Sequence, residues 1–401
     1  MIKNKSNSAD VRHTSAMFIL RFALPLLIII AALWALGMKS AIALATLGTV
    51  SLYGVLVLRG PLQNLAIALA TAAIALAITE CVAVVITPRI ITTPPGLYVP
   101  DAELGYRLGK PGRYRSRRIL IGTPGYDVNY TINAEAMRQV DAGHDGKGVI
   151  FLGDSFVFGL GLNDADTLPQ IFARLTKQRF PVFNAGVPGW SPANVLAEIQ
   201  SGRLDKMLSD SDFAVQFVAP WHAERMACNS GQTVYGPKYQ AVDGGVQRLR
   251  NCPPETASIF STFSIFNTLI APHLRHLTNN DIANLVAVTR ESVKLVKEKY
   301  HVPMIIYYLR DPGYLQRASL SWTDDQIMAA FRSSGAQVLD YTLADGNNPR
   351  YRIGGDGHPS ALANRIRAER LVNFMQAQGD APLSNPSVKR LVGLPLSGEP
   401  K

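Results

Sequence analysis

Charge is scarce in this 401-residue chain: Asp, Glu, Lys and Arg make up 17% of it, where an ordinary soluble domain carries about 25%. That shortage excludes an intrinsically disordered protein, and 47% hydrophobic residues exclude a wholly soluble one. Cysteine is scarcer still, with three residues, so a disulfide-dense scaffold is excluded. No CxxC or HxxxH spacing occurs, which argues against a metal site. Internal repeats and a collagen period are also missing.

The missing charge is localised. Of 40 Lys and Arg and 30 Asp and Glu, residues 1–88 hold six and two, leaving 34 and 28 for residues 89–401. Within 1–88 three apolar runs follow one another, at about 16–37, 41–58 and 62–86, each near the ~20 residues that span a bilayer as a helix. The breaks Met38-Lys39-Ser40 and Arg59-Gly60-Pro61 are short enough to force helical hairpins. The length of the first run and the two runs behind it argue against a cleaved signal peptide. Lys3, Lys5, Arg12 and Arg21 flank the first run and Arg59 lies in the second break, opposed only by Lys39. The positive-inside rule then predicts a cytoplasmic N-terminus and three crossings of the cell (inner) membrane, with residues 89–401 on the periplasmic or extracellular side. Glu80 is an acid inside the third run, with Lys39 as a partner within reach.

Beyond Pro88 the pattern changes. Thr92-Thr93-Pro94-Pro95-Gly96 reads as a linker, and residues 89–147 form a β-rich lead-in: Ile119–Gly122, a turn at Thr123-Pro124-Gly125, then Tyr126–Ile132 with period-two alternation. Strand and helix then alternate. Buried strands are expected at Gly148–Leu152, Pro181–Ala185, Phe213–Ala219, Pro303–Leu309 and Gln337–Tyr341. Helices are expected near Thr167–Gln178, Pro192–Leu208, Asp281–Tyr300, Asp324–Ser333 and Pro359–Gln378. This is the signature of an α/β domain, a parallel sheet with helices on both faces, occupying residues 148–378. Residues 226–280 break the alternation and read as an insertion, and 379–401 as a loose tail. Cys228 and Cys252 fall within that insertion. In an extracytoplasmic domain they read as a disulfide, with two free thiols as the alternative.

Two short motifs carry chemistry. The first strand ends Leu152-Gly153-Asp154-Ser155-Phe156, placing Ser155 just past a strand's carboxyl end, where active sites of parallel sheets lie. A serine hydroxyl needs a base to become a nucleophile. Gly355-Asp356-Gly357-His358-Pro359, before the last helix, offers His358 as that base and Asp356 to orient it. With these blocks the chain resembles the SGNH/GDSL family of esterases and acylhydrolases. Asn184-Ala185-Gly186-Val187-Pro188-Gly189 resembles that family's oxyanion block, which assigns the donated N–H to Gly189, with Gly186 second. Asp101-Ala102-Glu103-Leu104-Gly105-Tyr106-Arg107 and Thr131-Ile132-Asn133-Ala134-Glu135-Ala136-Met137-Arg138 resemble lead-in motifs of bacterial membrane-anchored members. The resemblance covers about residues 97–378 and implies a flavodoxin-like fold and an acyl-serine intermediate without a cofactor.

The chain departs from the family twice. One residue, Gly357, separates Asp356 from His358 where the family has two. The family's third block supplies an Asn to the oxyanion hole, whereas here that strand runs into Ala219-Pro220-Trp221-His222-Ala223-Glu224-Arg225. His222 or Arg225 is the available replacement, a structural role for His222 being the alternative. The basic run Arg107, Lys110, Arg113, Arg115, Arg117 and Arg118 reads as a solvated strand face. Anionic lipid headgroups or an acidic glycan suit its charge better than nucleic acid does.

The expected activity is a membrane-anchored ester hydrolase or O-acyltransferase. Its substrate would be an ester or acylated glycan of the cell envelope, with a membrane acyl-donor protein as a possible partner. The rival reading is a catalytically weak glycan-binding or assembly subunit of an envelope polysaccharide system.

A reporter active only outside the cytoplasm should work when fused after Pro95 and fail when fused at Gly60. The opposite pattern would reverse the topology.

Overall fold

The computed structural model describes residues 39–86, 89–92, 94–120, 123–228, 235–253, 277–346, 348–354 and 356–379. The chain divides into two compact units, one holding the apolar helices and the other everything described from Arg89 onward.

In the first unit, α1 (Lys39–Val57) and α2 (Pro61–Ile86) form a hairpin. Gly60 turns the chain at φ +65°, and Pro61 opens α2 at the position where its missing N–H costs nothing. Small residues let the helices approach: a Cβ on Gly48 would lie 3.1 Å from Ile74, and one on Gly54 3.4 Å from Ala66. Over Pro61–Ala83, α2 is long and apolar enough to cross a bilayer. The apolar part of α1, Ala41–Val57, is shorter, about 25 Å at 1.5 Å per residue against roughly 30 Å of hydrocarbon. The first expected span lies outside the described residues. Three spans are therefore not shown; among the described residues one helix meets the requirement.

The second unit opens with an antiparallel sheet of β1 (Arg89–Thr92), β4 (Gly112–Leu120) and β5 (Thr123–Ile132), and a separate pair, β2 (Tyr98–Asp101) with β3 (Gly105–Leu108). Thr123-Pro124-Gly125, expected to form a turn, instead open β5, with Thr123 paired to Leu120.

An α/β domain follows. Its sheet comprises β6 (Gly148–Gly153), β7 (Val182–Gly186), β8 (Ser211–Val218), β11 (Met304–Tyr308) and β12 (Gln337–Asp340), every neighbouring pair parallel. Across the sheet the order is β7-β6-β8-β11-β12, or 2-1-3-4-5 when the five are counted along the chain, which is the flavodoxin-like order. All five strands fall where the sequence places them. The helices are α3 (Ser155–Phe158), α4 (Leu168–Leu175), α5 (Pro192–Gln200), α6 (Asp205–Ser209), α7 (His222–Met226), α8 (Asn279–Tyr300), α9 (Pro312–Arg317), α10 (Asp324–Arg332) and α11 (Ala361–Gly379). The single helix expected over Pro192–Leu208 is two, interrupted at Gly202 with φ +77°.

Strand alternation separates two cores. Ile150, Leu152, Ala214, Val218 and Ile306 face one side with α5, α8 and α10; Val149, Phe151, Phe213, Val215 and Ile305 face the other with α4 and α11. In the insertion, β9 (Tyr239–Val242) and β10 (Gly245–Arg248) form a hairpin fixed to α8 through Asn284, which bonds Tyr239 O and Ala241 N. Cys228 and Cys252 are joined by a disulfide.

Arg138 fastens the lead-in to this domain. It is fully buried, pairs with Asp164 at 2.7 Å, and donates to the carbonyls of Phe158, Gly159 and Leu162 at 2.8–3.3 Å. Its guanidinium also lies 4.4 Å from the centre of the Tyr130 ring. Replacing it strands buried acceptors and an acid at once. Arg138→Met should lower unfolding stability by about 3 kcal/mol, measured by denaturant unfolding of the full chain. A loss below about 1 kcal/mol would show that water replaces the guanidinium.

Candidate active site

Ser155, the candidate nucleophile, is positioned by the end of β6. Gly153 is the pivot: a Cβ there would come within 2.9 Å of Val157 and 3.1 Å of Phe217. Asp154 caps α3, accepting the Phe156 N–H at 2.9 Å. Ser155 is thereby the first residue of the helix, beyond the carboxyl end of β6. On the two sides of β6 lie β7 and β8, the point at which the strand order reverses.

The loop between β12 and α11 brings up His358, the candidate base. Arg352 pairs with Pro359 in a short antiparallel bridge, and Ile353 N–H bonds the His358 carbonyl at 2.8 Å. Gly357 takes φ +80°, the left-handed conformation glycine adopts without strain, and turns the chain between Asp356 and His358. The one-residue separation is therefore accommodated by this glycine. His358 Nε2 lies 2.8 Å from Ser155 Oγ, and His358 Nδ1 is hydrogen-bonded to Asp356 Oδ1. Gly355, which stands in the family's usual Asp position, lies outside the described residues.

Asp356 has a partner that the sequence did not suggest. Arg118 Nη1 on β4 lies 2.9 Å from Asp356 Oδ2, with the carboxylate almost wholly buried. Burial pushes that carboxyl up, but the His358 hydrogen bond and the charges of His358 and Arg118 outweigh it and hold it below its ordinary value. The rest of the basic run is largely answered nearby: Arg115 pairs bidentately with Asp127, and Arg107 sits 3.5 Å from Asp101.

His222 does not face the reaction centre as a free donor. It is fully buried, and its Nδ1 accepts the Ala219 N–H at 3.2 Å, so Nε2 carries the proton toward Asp154 Oδ2 at 3.1 Å. Both ring nitrogens are taken, and its expected role as the oxyanion donor is corrected on that ground. Burial lowers its pKa despite the Asp154 charge, keeping the imidazole neutral. Arg225 Nη1 is likewise engaged, with Asp154 Oδ2 at 2.8 Å and Trp190 O at 2.6 Å. For Asp154 burial raises the pKa, but the His222 hydrogen bond and the Arg225 charge together bring it well below the ordinary carboxylate range.

The oxyanion loop is held from several sides. Tyr106 Oη donates to Pro188 O at 2.6 Å, Trp190 Nε1 donates to Tyr106 O at 3.1 Å, and Arg225 grips Trp190 O. Gly186 is excluded as a donor because its N–H is bonded to Asn184 Oδ1 at 3.1 Å. Its role is close packing, since a Cβ would meet Phe158 N at 2.4 Å. Gly189 has φ +85°. Among the described residues, neither its N–H nor that of Ser155 is given to a protein acceptor. Of the four residues expected at the hole, these two keep a backbone N–H without a protein acceptor among the described residues.

Phe156 stacks on Phe217 at 4.8 Å and lies 5.4 Å from the His358 ring, packing the base in place. Beside it opens a cavity of about 670 Å³, lined by Phe156, Trp221, Gly357 and Pro359 on the catalytic side, a volume typical of ligand sites. Among the described residues no cluster of His, Cys, Asp or Glu is arranged to hold a metal ion.

Arg118→Met should lower kcat on an ester substrate about tenfold, about 1.4 kcal/mol of barrier. The depressed Asp356 pKa supplies stability above the ordinary Asp range that is lost as pH falls through the folded value. The stability gap between wild type and Arg118→Met should therefore be present at neutral pH and close on acidification through that window. A gap independent of pH would assign Arg118 a packing role only.

No family model matches the chain, and no curated relative does. Solved structures do: TesA, 14% identical over 58% of this chain and 99% of that one, with a TM-score of 0.36; the psychrotrophic esterase EstA from Pseudoalteromonas sp., 12% identical over 60% and 100%, TM-score 0.35; and a member of the lipolytic G-D-S-L family from Veillonella parvula DSM 2008, 14% identical over 57% and 97%, TM-score 0.34.

Proposed function

We propose that the protein is a serine esterase or O-acyltransferase of SGNH type, working through an acyl-serine intermediate. The observation that carries this reading is the hydrogen-bonded line from Ser155 Oγ through His358 to Asp356, at the carboxyl end of β6. Ser155 Oγ attacks the ester carbonyl while His358 Nε2 takes its proton, and Asp356, charge-supported by Arg118, stabilises the imidazolium. The N–H groups of Ser155 and Gly189 receive the oxyanion. His358 then returns the proton to the departing alkoxide, leaving the acyl group on Ser155. Water or a sugar hydroxyl, deprotonated by His358, attacks that acyl-enzyme and regenerates Ser155. The first acceptor gives an esterase and the second a transferase.

Placement in a membrane, with an envelope ester or acylated glycan as substrate, belongs to the same proposal. Among the described residues, the exposed large hydrophobic side chains other than Tyr235, Val242 and Leu362 all lie in α1, α2 or, for Leu58, the turn between them. Such a concentration is unfavourable in water and suits lipid. The Cys228–Cys252 disulfide suits an oxidising compartment outside the cytoplasm. Lipid is thus the expected surroundings of the helices, and a membrane protein that delivers the acyl group is the partner a transferase would need.

The alternative, a glycan-binding or assembly subunit with little catalysis, draws on the inward turn of His222, which leaves the hole without a side-chain donor.

A fluorophosphonate probe discriminates between them. Wild-type protein should label at Ser155, Ser155→Ala should not label, and His358→Ala should label far more slowly. Failure of the folded wild type to label would favour the binding subunit.

A further inference from the structure

The cavity beside the catalytic line has a second wall, and that wall is basic. Arg310, Arg317, Arg352 and Arg367 line it against one acid, Asp311. Asp311 caps α9, its Oδ1 accepting the Tyr314 N–H at 2.9 Å. Arg310 is neutralised within the fold by Asp340 at 2.7 Å and Asp325 at 2.8 Å. Arg352 donates to Gly346 O at 3.0 Å.

Arg367 is different. It lies on α11 with 6% of its surface exposed, yet no carboxylate stands within ion-pair distance of it among the described residues. Its Nε donates to Tyr341 O at 2.9 Å, and its guanidinium carbon sits 3.8 Å from the centre of the Tyr341 ring. Its Nη1 is buried with no hydrogen-bond partner. A buried guanidinium is costly unless an anion or a full set of acceptors answers it. A cavity at its side leaves room for that anion to arrive with the substrate. Arg317, exposed on α9 at the same cavity, adds a second cation without an ion-pair partner among the described residues.

We infer that the cavity is an anionic subsite, in which Arg367, assisted by Arg317, binds a carboxylate or phosphate carried by the substrate of the Ser155 site. The inference rests on the proposed ester chemistry for its location and deepens it by naming a substrate class. Phe156 and Gly357 connect the two regions, the first following Ser155 and the second lying between Asp356 and His358. A guanidinium fork suits either oxyacid. The anion would be borne by the acyl group or by the alcohol.

The test uses the full chain and matched esters. Wild type should prefer p-nitrophenyl monosuccinate over p-nitrophenyl butyrate if the acyl group bears the charge. It should prefer 4-acetoxybenzoate or acetoxyphenyl phosphate over phenyl acetate if the alcohol does. In Arg367→Met the anionic-to-neutral ratio of kcat/KM should fall about 10–100-fold, as expected for loss of a charged hydrogen bond. Arg317→Gln, at an exposed position, should reduce the ratio by a smaller factor and serves if Arg367→Met fails to fold. Binding is read separately, as thermal stabilisation of Ser155→Ala by glutarate or inorganic phosphate. Stabilisation that Arg317→Gln weakens, without turnover of any ester by wild type, supports the subsite and overturns the hydrolase reading. Ester turnover without anionic preference, together with no stabilisation by either anion, overturns the subsite and leaves the hydrolase reading standing.

Discussion

One buried carboxylate organises the candidate reaction centre. Asp154 receives the Phe156 N–H, the His222 ring and the Arg225 guanidinium at 2.8–3.1 Å. Each bond ties a different segment to the nucleophile: the helix that Ser155 opens, the turn after β8, and, through Arg225, the loop carrying Gly189. Left unpaired, such a carboxylate would be strongly unfavourable in the interior. Removing any one partner therefore penalises the whole arrangement. Geometry at Ser155 depends on electrostatics one residue away.

Much of this domain is legible because its strands are buried on both faces. Parallel strands of that kind read as short apolar runs, and each of the five stands out between polar helices. The site motifs are equally visible, since glycine and the chemical residues sit side by side at Gly153-Asp154-Ser155 and Asp356-Gly357-His358. Helix boundaries are less so. The Pro192–Leu208 stretch keeps its apolar pattern across Gly202, and only the left-handed backbone there shows where α5 stops.

What sequence could not provide is which polar groups meet across distance. Arg118 sits in a strand whose alternation suggests a solvated face, and nothing local connects it to Asp356. His222 occupies the chain position where an oxyanion donor belongs, but a hydrogen bond from Ala219 fixes its tautomer and turns the ring toward Asp154. Gly186 and Gly189 look interchangeable in the motif. They separate because Asn184, two residues before Gly186, takes its N–H. In each case the outcome turns on satisfying a buried donor or acceptor, a three-dimensional condition that leaves no periodicity behind.

The same condition gives the arginines of this domain their meaning. Charge is scarce along the chain, yet arginine recurs wherever loops must be fixed at the carboxyl end of the sheet. Arg225 joins the Gly189 loop to Asp154, Arg138 joins the lead-in to the carbonyls after α3, and Arg118 supports Asp356. Each has an acid beside it, and each of those acids belongs to the protein. Arg367 has the burial of such a residue without the acid. A fold that answers its buried cations so consistently would gain nothing from leaving one unanswered at random. At the wall of the cavity next to the nucleophile, the missing partner is most simply a group that the substrate brings and the product takes away.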